Sequence, residues 1–314
     1  MKRSLSITQA IDFYLRSRRP LGFALNIDEG ILRSLARYAD QIHHQGPLTA
    51  ELVLQWARLP QEADRIWWAR RLVVARRLAR FWHAFDPKVQ VPPEGVFGPA
   101  YRRGHPYIYS ADEITSLLDA TETLTTTDGL LQATFRTLLG LLACTGLRIS
   151  EALKLQTHDF DAAARTLLIR KSKGGQSRCV PIKPSAVLAL KDYQRLRHKH
   201  YPRCNSSAFF LVEPGRPLSY KKASQTFRLL RTKLGWTQSP PRRLHDLRHT
   251  FAVNRLITWQ RQGGDEVSRK MLALATYLGH RNIRHTYWYL SAVPELLALA
   301  SQRLTLCQSQ EDRV

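Results

Sequence analysis

Residues 130–151 read LLQATFRTLLGLLACTGLRISE, and this stretch sets the architecture of the second half of the chain. Residues 130–144 are mainly apolar, with an unbroken run from Leu138 to Cys144, which is typical of a buried helix. Gly146 suits the left-handed position just past a helix end, so the helix is predicted to stop there. Arg148 then emerges beside the core, where a free charge is costly unless it binds an anion, and Glu151 is placed to orient it.

The segments around this helix predict a mainly helical region with one small β-hairpin. Ser110 and Glu113 form a capping box that begins a helix upstream. Downstream, strand-like runs at 167–169 and 179–182 flank a polar turn that contains two glycines. Helical patterns then resume in five segments, at 185–198, 221–234, 244–259, 267–278 and 294–304.

The first 86 residues are predicted to form a separate all-helical domain. Ser6 and Gln9 give a capping box before the first helix, and helical patterns follow at 30–43, 49–58 and 63–85. Prolines and glycines interrupt every helical pattern between Pro87 and Pro106, which is typical of a linker. The predicted organisation is a helical domain at 1–86, a linker at 87–108 and a second domain with a C-terminal tail at 109–314.

The charge of the chain indicates an anionic polymer as its partner. There are 48 Lys+Arg against 25 Asp+Glu, a formal charge of +23 that exceeds what solubility requires. No apolar run approaches the ~20 residues of a bilayer span, and charged residues interrupt the place where a signal peptide would be apolar. Four scattered cysteines without CxxC spacing indicate neither a zinc site nor a disulfide framework, so reduced thiols in the cytoplasm are expected.

The helix predicted at 63–85 separates apolar residues from basic ones. Trp68 and Leu72 belong to an apolar stripe, while Arg70 and Arg77 lie on the opposite side and Arg80 lies near its edge. Both a solvated face and a DNA-contacting face fit this pattern. The charge of the whole chain supports contact with DNA, and both interpretations stay open.

Two histidines, an arginine and a tyrosine in the C-terminal region carry the candidate chemistry. His245 and Arg248 are three residues apart, so on a helix they share a face and can converge on phosphate oxygens. His280 follows a Leu-Gly pair, and Tyr289 lies nine positions beyond it. Tyr287 is the competing nucleophile, and the spacing from His280 favours Tyr289.

A zinc site is the metal alternative at this place. His245 and His249 are four residues apart, as in half of the HExxH pattern. Asp246 stands where that pattern has its glutamate base, and Arg248 would place a cation beside a divalent metal. No metal site is therefore predicted.

Taken together, the motifs resemble the tyrosine recombinase (phage integrase) family over about residues 110–290. The family's TGxR-x-x-E, HxxR and LGH boxes and its tyrosine match Arg148 with Glu151, His245 with Arg248, His280, and Tyr289. The family's hairpin lysine matches Lys173, which precedes Gly174. Gln176 replaces the second basic residue of that turn, so Lys171 stays an alternative to Lys173.

The resemblance implies both a fold and an activity. The implied fold is mainly α with a small β-hairpin or sheet: an all-α core-binding (SAM-like) domain is followed by a mixed α+β catalytic domain. The implied activity is site-specific recombination of double-stranded DNA through a covalent 3′-phosphotyrosine, in integration, excision or transposition of mobile DNA. The implied assembly is a homo- or hetero-tetramer on two recombination sites, in the cytoplasm at the nucleoid. A helix at 294–304 is expected to dock on a neighbouring protomer.

In this interpretation Tyr289 is the nucleophile. Arg148, Arg248 and His280 favour its phenolate and stabilise the negative charge on the pentacoordinate phosphorus. One phosphodiester replaces another, so rejoining needs no ATP, and the cations make a metal or other cofactor unnecessary.

Two further residues are assigned to proton transfer. Lys173 is expected to protonate the departing 5′ oxygen, and His245 is expected to assist the loss of the Tyr289 proton. The rival from another class is a noncatalytic DNA-binding or architectural protein, which has no need of a phenol among phosphate ligands. A metallohydrolase and a type IB topoisomerase are more distant alternatives.

Overall fold

A computed structural model describes residues 5–102, 104–124, 129–170, 176–213, 215–262 and 264–292, together with residues 296, 298 and 301. The chain divides into two compact units, Met1–Gly104 and His105–Val314. None of the helices in the described part of the chain has the length and apolar character needed to cross a bilayer.

The first unit is helical throughout its regular structure in the residues described. Its helices are α1 (Ile7–Arg18), α2 (Asn26–Gln41), α3 (Ala50–Arg58) and α4 (Arg65–His83). The predicted capping box opens α1, because Ser6 Oγ accepts the Gln9 N–H at 3.2 Å and Gln9 Oε1 accepts the Ser6 N–H at 3.0 Å. Leu32 and Leu35 of α2, three residues apart and therefore on one face, are fully buried with Trp56 of α3.

The predicted linker is largely packed against this first unit. Residues 87–104 fall within it, and Val89 and Phe97 are buried in its core. The Phe97 ring lies edge-on to Trp68 with 6.0 Å between the ring centroids. Irregular backbone rich in proline and glycine is thus fixed in place, since burial of Val89 and Phe97 stabilises it.

The second unit is mixed, with eight helices and five short strands among the described residues. The helices are α5 (Ala111–Asp119), α6 (Leu130–Thr145), α7 (Ile149–Ala152), α8 (Pro184–His200), α9 (Tyr220–Lys233), α10 (Leu244–Gln262), α11 (Gly264–Leu278) and α12 (Arg284–Ala292). The strands are β1 (Phe160–Asp161), β2 (Thr166–Ile169), β3 (Arg178–Pro181), β4 (Leu211–Glu213) and β5 (Arg216–Pro217).

The predicted hairpin is formed by β2 and β3, which pair antiparallel with Leu167 opposite Val180. Strand β1 adds to β2, and β4 pairs with β5 in a second small sheet. These additions were not predicted, because strands of two or three residues are too short to show an alternating pattern. The predicted fold class, mainly helical with a small β component, is confirmed. The helix predicted at 294–304 lies mostly outside the described residues and stays a prediction.

The end of α6 brings the two arginine motifs together. Gly146 adopts the predicted left-handed conformation, with φ of +63°, and its N–H bonds the Leu142 carbonyl at 2.9 Å. A Cβ atom at Gly146 would lie 2.6 Å from Phe251 Cδ1 of α10. Glycine therefore allows α10 to approach the turn that leads to Arg148.

Candidate active site

Arg148 is held at the junction of α6 and α7. Its backbone N–H donates to Glu151 Oε2 at 3.0 Å, and its Nη1 donates to Glu151 Oε1 at 2.8 Å. Its Nη2 donates to the Gly279 carbonyl at 3.0 Å, so the guanidinium is joined to the end of α11. The side chain keeps 20% of its surface exposed, which leaves it accessible to an anion.

Arg248 lies deeper, with only 2% of its surface exposed. Its Nη1 donates to the Gly146 carbonyl at 2.8 Å and its Nη2 to the Leu278 carbonyl at 2.7 Å. Burial lowers the pKa of Arg248 and the nearby charge of Arg148 lowers it further, to about 10. Arg248 is therefore still charged at neutral pH, as a cation fixed by two backbone carbonyls.

Glu151 is the carboxylate that ties these cations together. It is 5% exposed and binds both Arg148 and Arg178. Burial by itself would raise the pKa of Glu151, but the hydrogen bonds and charges of Arg178 and Arg148 outweigh burial and hold it at about 2. The carboxylate is ionised throughout the neutral range.

His245 stands one helical turn before Arg248, at the start of α10. Part of its side chain reaches solvent, yet the surrounding protein removes much of the hydration of the ring. This desolvation lowers the pKa of His245, and the charges of Arg248 and Arg243 lower it further, to about 4. His245 is accordingly neutral at pH 7 and can donate a hydrogen bond without adding charge.

Tyr289 projects from α12 into the same region and is 2% exposed. Its hydroxyl lies 3.0 Å from His249 Nδ1, within hydrogen-bond distance. The Tyr289 ring stacks beside His280, with 6.4 Å between the centroids, and His280 Nδ1 lies 2.7 Å from Thr286 Oγ1. Tyr287, by contrast, is 48% exposed.

The contact of His249 with Tyr289 was not predicted. His245 was expected to assist the loss of the Tyr289 proton, whereas His249 lies against the Tyr289 hydroxyl and the His245 ring lies edge-on to His249, with 4.6 Å between the ring centroids. The four-residue spacing of the two histidines was the available signal, and it was interpreted only as a zinc pattern. No group of three or more His, Cys, Asp or Glu residues suited to a metal lies within the described ranges.

Lys173 and its alternative Lys171 lie outside the described residues, so their assignment stays a prediction. The hairpin is described on both sides of that turn. Arg170 pairs with the buried Asp159 after β2, and Arg178 pairs with Glu151 at the start of β3.

The three arginines proposed to contact DNA all lie on the exposed surface of α4, but they differ in their partners. Arg77 pairs with Asp28 at 3.2 Å, and Arg80 pairs with Glu94 at 2.6 Å. No ion pair joins Arg70 to a carboxylate in the described part of the chain. The carboxylates come from distant segments, which a helical wheel of α4 cannot show.

The arrangement therefore combines an accessible arginine, a buried arginine, a neutral histidine and a buried phenol around the end of α11. The sequence model described as "Phage integrase family" matches residues 108–295, more than half of the chain. The chain belongs to the phage integrase family.

Two bacterial relatives illustrate the similarity within this family. A putative integrase/recombinase named y4rB from Sinorhizobium fredii is 38% identical over 305 residues, which cover 94% of this chain and 96% of that protein. The tyrosine recombinase XerD of Mycobacterium tuberculosis is 34% identical over 225 residues, which cover 70% of this chain and 68% of XerD. These matches confirm the predicted class, site-specific DNA recombinases, and disfavour the noncatalytic alternative.

Two solved structures share the fold of this integrase-family chain. The XerH recombinase bound to its difH substrate in a pre-cleavage complex superposes with a TM-score of 0.63 at 18% identity, covering 95% of this chain and 85% of XerH. The Tn1549 transposon integrase in complex with circular intermediate DNA superposes with a TM-score of 0.63 at 18% identity, covering 91% of this chain and 95% of that integrase. At this identity the likeness concerns the fold alone.

Proposed function

We propose that this chain cuts and rejoins double-stranded DNA at specific sites through a covalent 3′-phosphotyrosine at Tyr289, without a metal or ATP. One observation carries the proposal. The buried Tyr289 hydroxyl, bonded to His249, lies in the same region as Arg148 and Arg248, whose guanidinium groups meet at the end of α11.

The proposed reaction is a transesterification. Tyr289 Oη attacks phosphorus, the bond from phosphorus to the 5′ oxygen breaks, and the phenolic proton passes to a base. His249 Nδ1 is within reach of that proton when the imidazole carries its own hydrogen on Nε2. The departing 5′ oxygen receives a proton from Lys173 in this proposal, and the reverse sequence rejoins the strand.

The two arginines contribute in different ways. Arg148 retains exposed surface and is assigned direct contact with nonbridging phosphate oxygens. Arg248 is almost fully buried and held by two carbonyls, so it supplies a preorganised positive charge that needs no rearrangement during the reaction. His245, neutral at pH 7, and His280 are assigned as hydrogen-bond donors to the phosphate.

We extend the proposal to the partners of the reaction. The net charge of +23 supports binding to DNA. The two DNA sites, and assembly as a tetramer in the cytoplasm at the nucleoid, are carried over from the family resemblance. The division into a core-binding domain at 1–86, a linker at 87–108 and a catalytic domain at 109–314 belongs to the same proposal.

The decisive experiment is covalent capture of DNA. The protein is incubated with a library of nicked suicide duplexes that carry randomised arms, in buffer containing EDTA, and denaturing gels detect a protein–DNA adduct. The expected adduct forms with the wild-type chain and with Tyr287→Phe, and it is lost in Tyr289→Phe. An adduct that survives Tyr289→Phe, or one that requires added metal, would contradict the proposal.

A second experiment tests the proton acceptor. His249→Phe retains an aromatic ring but removes the nitrogen that faces Tyr289, so the rate of adduct formation at pH 7 should fall by about 100-fold. The control, His158→Phe, changes a histidine whose side chain is 56% exposed, and it should leave the rate unaltered. Equal rates for the two variants would remove His249 from the mechanism.

A further inference from the structure

Three arginines from three different elements bind successive carbonyls where α11 ends. Arg178 Nε donates to the Tyr277 carbonyl at 2.8 Å, Arg248 Nη2 to the Leu278 carbonyl at 2.7 Å, and Arg148 Nη2 to the Gly279 carbonyl at 3.0 Å. The last carbonyls of a helix lack partners within it and carry its negative dipole end, so cations stabilise them. The turn that presents His280 is thereby fixed from three sides.

Arg178 differs from the other two arginines in how its nitrogens are used. While Nε binds Tyr277, Nη1 donates to Glu151 Oε1 at 3.1 Å and Nη2 donates to Glu151 Oε2 at 2.9 Å. Its side chain is 13% exposed. Every nitrogen of Arg178 is therefore engaged by protein, and the geometry suits orientation of Glu151 better than contact with a ligand.

We propose that Arg178 is a positioning residue that orients Arg148 through their shared carboxylate, Glu151, and joins the β2–β3 hairpin to the α11 end. This inference rests on the proposed function, in which Arg148 binds the scissile phosphate. Arg178 opens β3, the strand that pairs with β2, so the described start of β3 is joined to the carboxylate that orients the phosphate ligand.

The packing at Gly279 provides independent support for this link. Gly279 has φ of +68°, and a Cβ atom there would lie 2.8 Å from Arg178 Nη1 and 2.9 Å from its Cζ. The guanidinium thus fills the space beside the residue that precedes His280. Glycine at this position allows Arg178 to reach the Tyr277 carbonyl and Glu151 at the same time.

The inference is tested with Arg178→Gln, Arg178→Lys, Glu151→Gln and the double variant Arg178→Gln/Glu151→Gln. Arg170→Gln is the matched control, because Arg170, directly after β2, also pairs with a buried carboxylate, that of Asp159. Circular dichroism and thermal unfolding first establish that each variant is folded. The substrates are the nicked duplexes captured by the wild-type chain.

Arg178→Gln is expected to lower the single-turnover rate of adduct formation by about 10- to 100-fold, with DNA affinity unchanged. Arg178→Lys keeps the charge but cannot bind both carboxylate oxygens and the carbonyl, so it should restore only part of the rate. The double variant should lose no more than the larger single loss, because both residues act through one link. Arg170→Gln should react at the wild-type rate once corrected for the folded fraction.

NMR of the guanidinium group of Arg148 separates this inference from the proposed function. In the wild-type chain its Nη signals should show slow rotation, and in Arg178→Gln the rotation should become several-fold faster. Glu151 faces the charges of Arg148, Arg178 and Arg248, and removal of Arg178 should raise the pKa of Glu151. When the pH is lowered, the rate of adduct formation by Arg178→Gln should therefore begin to fall at a higher pH than that of the wild-type chain.

Unchanged Arg148 signals, or losses that multiply in the double variant, would overturn the positioning role. If the wild-type chain forms no adduct with any duplex, the proposed function is refuted. If Arg178→Gln still changes the Nη signals of Arg148 in that case, the positioning of Arg148 remains supported.

Discussion

Protonation of Glu151 should remove a measurable part of the stability of the second unit, His105–Val314. The carboxyl group has its pKa held at about 2, against an ordinary value of 4.5. That difference of about 2.5 units corresponds to roughly 3 kcal/mol, at about 1.4 kcal/mol per unit. The pKa is depressed in the folded chain, so this stabilisation is complete above about pH 5 and is lost as pH falls towards 2; roughly two-thirds of it should be lost by pH 3.

Glu151→Gln makes this contribution visible. Urea unfolding of the wild-type chain and the variant is followed at pH 6, 5, 4 and 3. At pH 6 the variant should be less stable by about 3–5 kcal/mol, because Arg148 and Arg178 lose their buried counter-charge. The difference should shrink by roughly 2 kcal/mol by pH 3, because the carboxyl group is then protonated in the unfolded wild-type chain while it is still mostly ionised in the folded one.

The matched control is Glu213→Gln, which alters a glutamate whose side chain is 62% exposed and paired with the exposed Arg216. Exposed pairs contribute about 1 kcal/mol or less, so this variant should differ little from the wild-type chain at any pH. A stability difference for Glu151→Gln that is constant from pH 6 to pH 3 would refute the reasoning. It would mean that Arg178 and Arg148 do not hold the carboxylate ionised in the folded state.

Three further outcomes are expected. Gly146→Ala should lower the free energy of unfolding by about 2–4 kcal/mol, because the new Cβ atom meets both a strained φ and the side chain of Phe251 on α10. Gly215→Ala is the control: φ is +69° there but the surrounding space is open, so the loss should be about 1 kcal/mol. Equal losses for the two variants in urea unfolding would exclude the packing argument. Arg70→Gln should weaken DNA binding and reduce by about 1 the slope of log affinity against log salt concentration, while Arg195→Gln, which breaks an exposed pair on α8, should not. Deleting the residues after Ala292 should abolish assembly on sedimentation but spare single-site cleavage, and unchanged assembly would reject docking of the 294–304 segment.

Local sequence patterns were sufficient for most of the helices and for the end of α6, but α12, which carries Tyr289, was not predicted. Capping boxes, apolar periodicity and a glycine past a helix end all depend on residues that are close in the chain. The same is true of the spacing of His245 from Arg248 and of His280 from Tyr289. Such patterns placed Arg148 and Gly146 correctly at the turn between α6 and α7.

The contacts that were not predicted join residues far apart in the chain. The bond from His249 to Tyr289 spans 40 positions, and the pair between Glu151 and Arg178 spans 27. No periodicity records such a pairing, because it is created when separate elements pack. The carboxylate partners of Arg77 and Arg80 escaped prediction for the same reason.

The hydrogen bonds that hold Arg148 and Arg248 can form only late in translation of the chain. The carbonyl that binds Arg248 Nη1 lies 102 positions before it, and the carbonyl that binds Arg148 Nη2 lies 131 positions after it. A nascent chain therefore contains Arg148 long before Gly279, whose carbonyl fixes that arginine, has been made. Chains interrupted before α11 would carry the positive charge that attracts DNA but no assembled centre to cut it, so premature release from the ribosome should produce a DNA-binding fragment without strand-breaking activity.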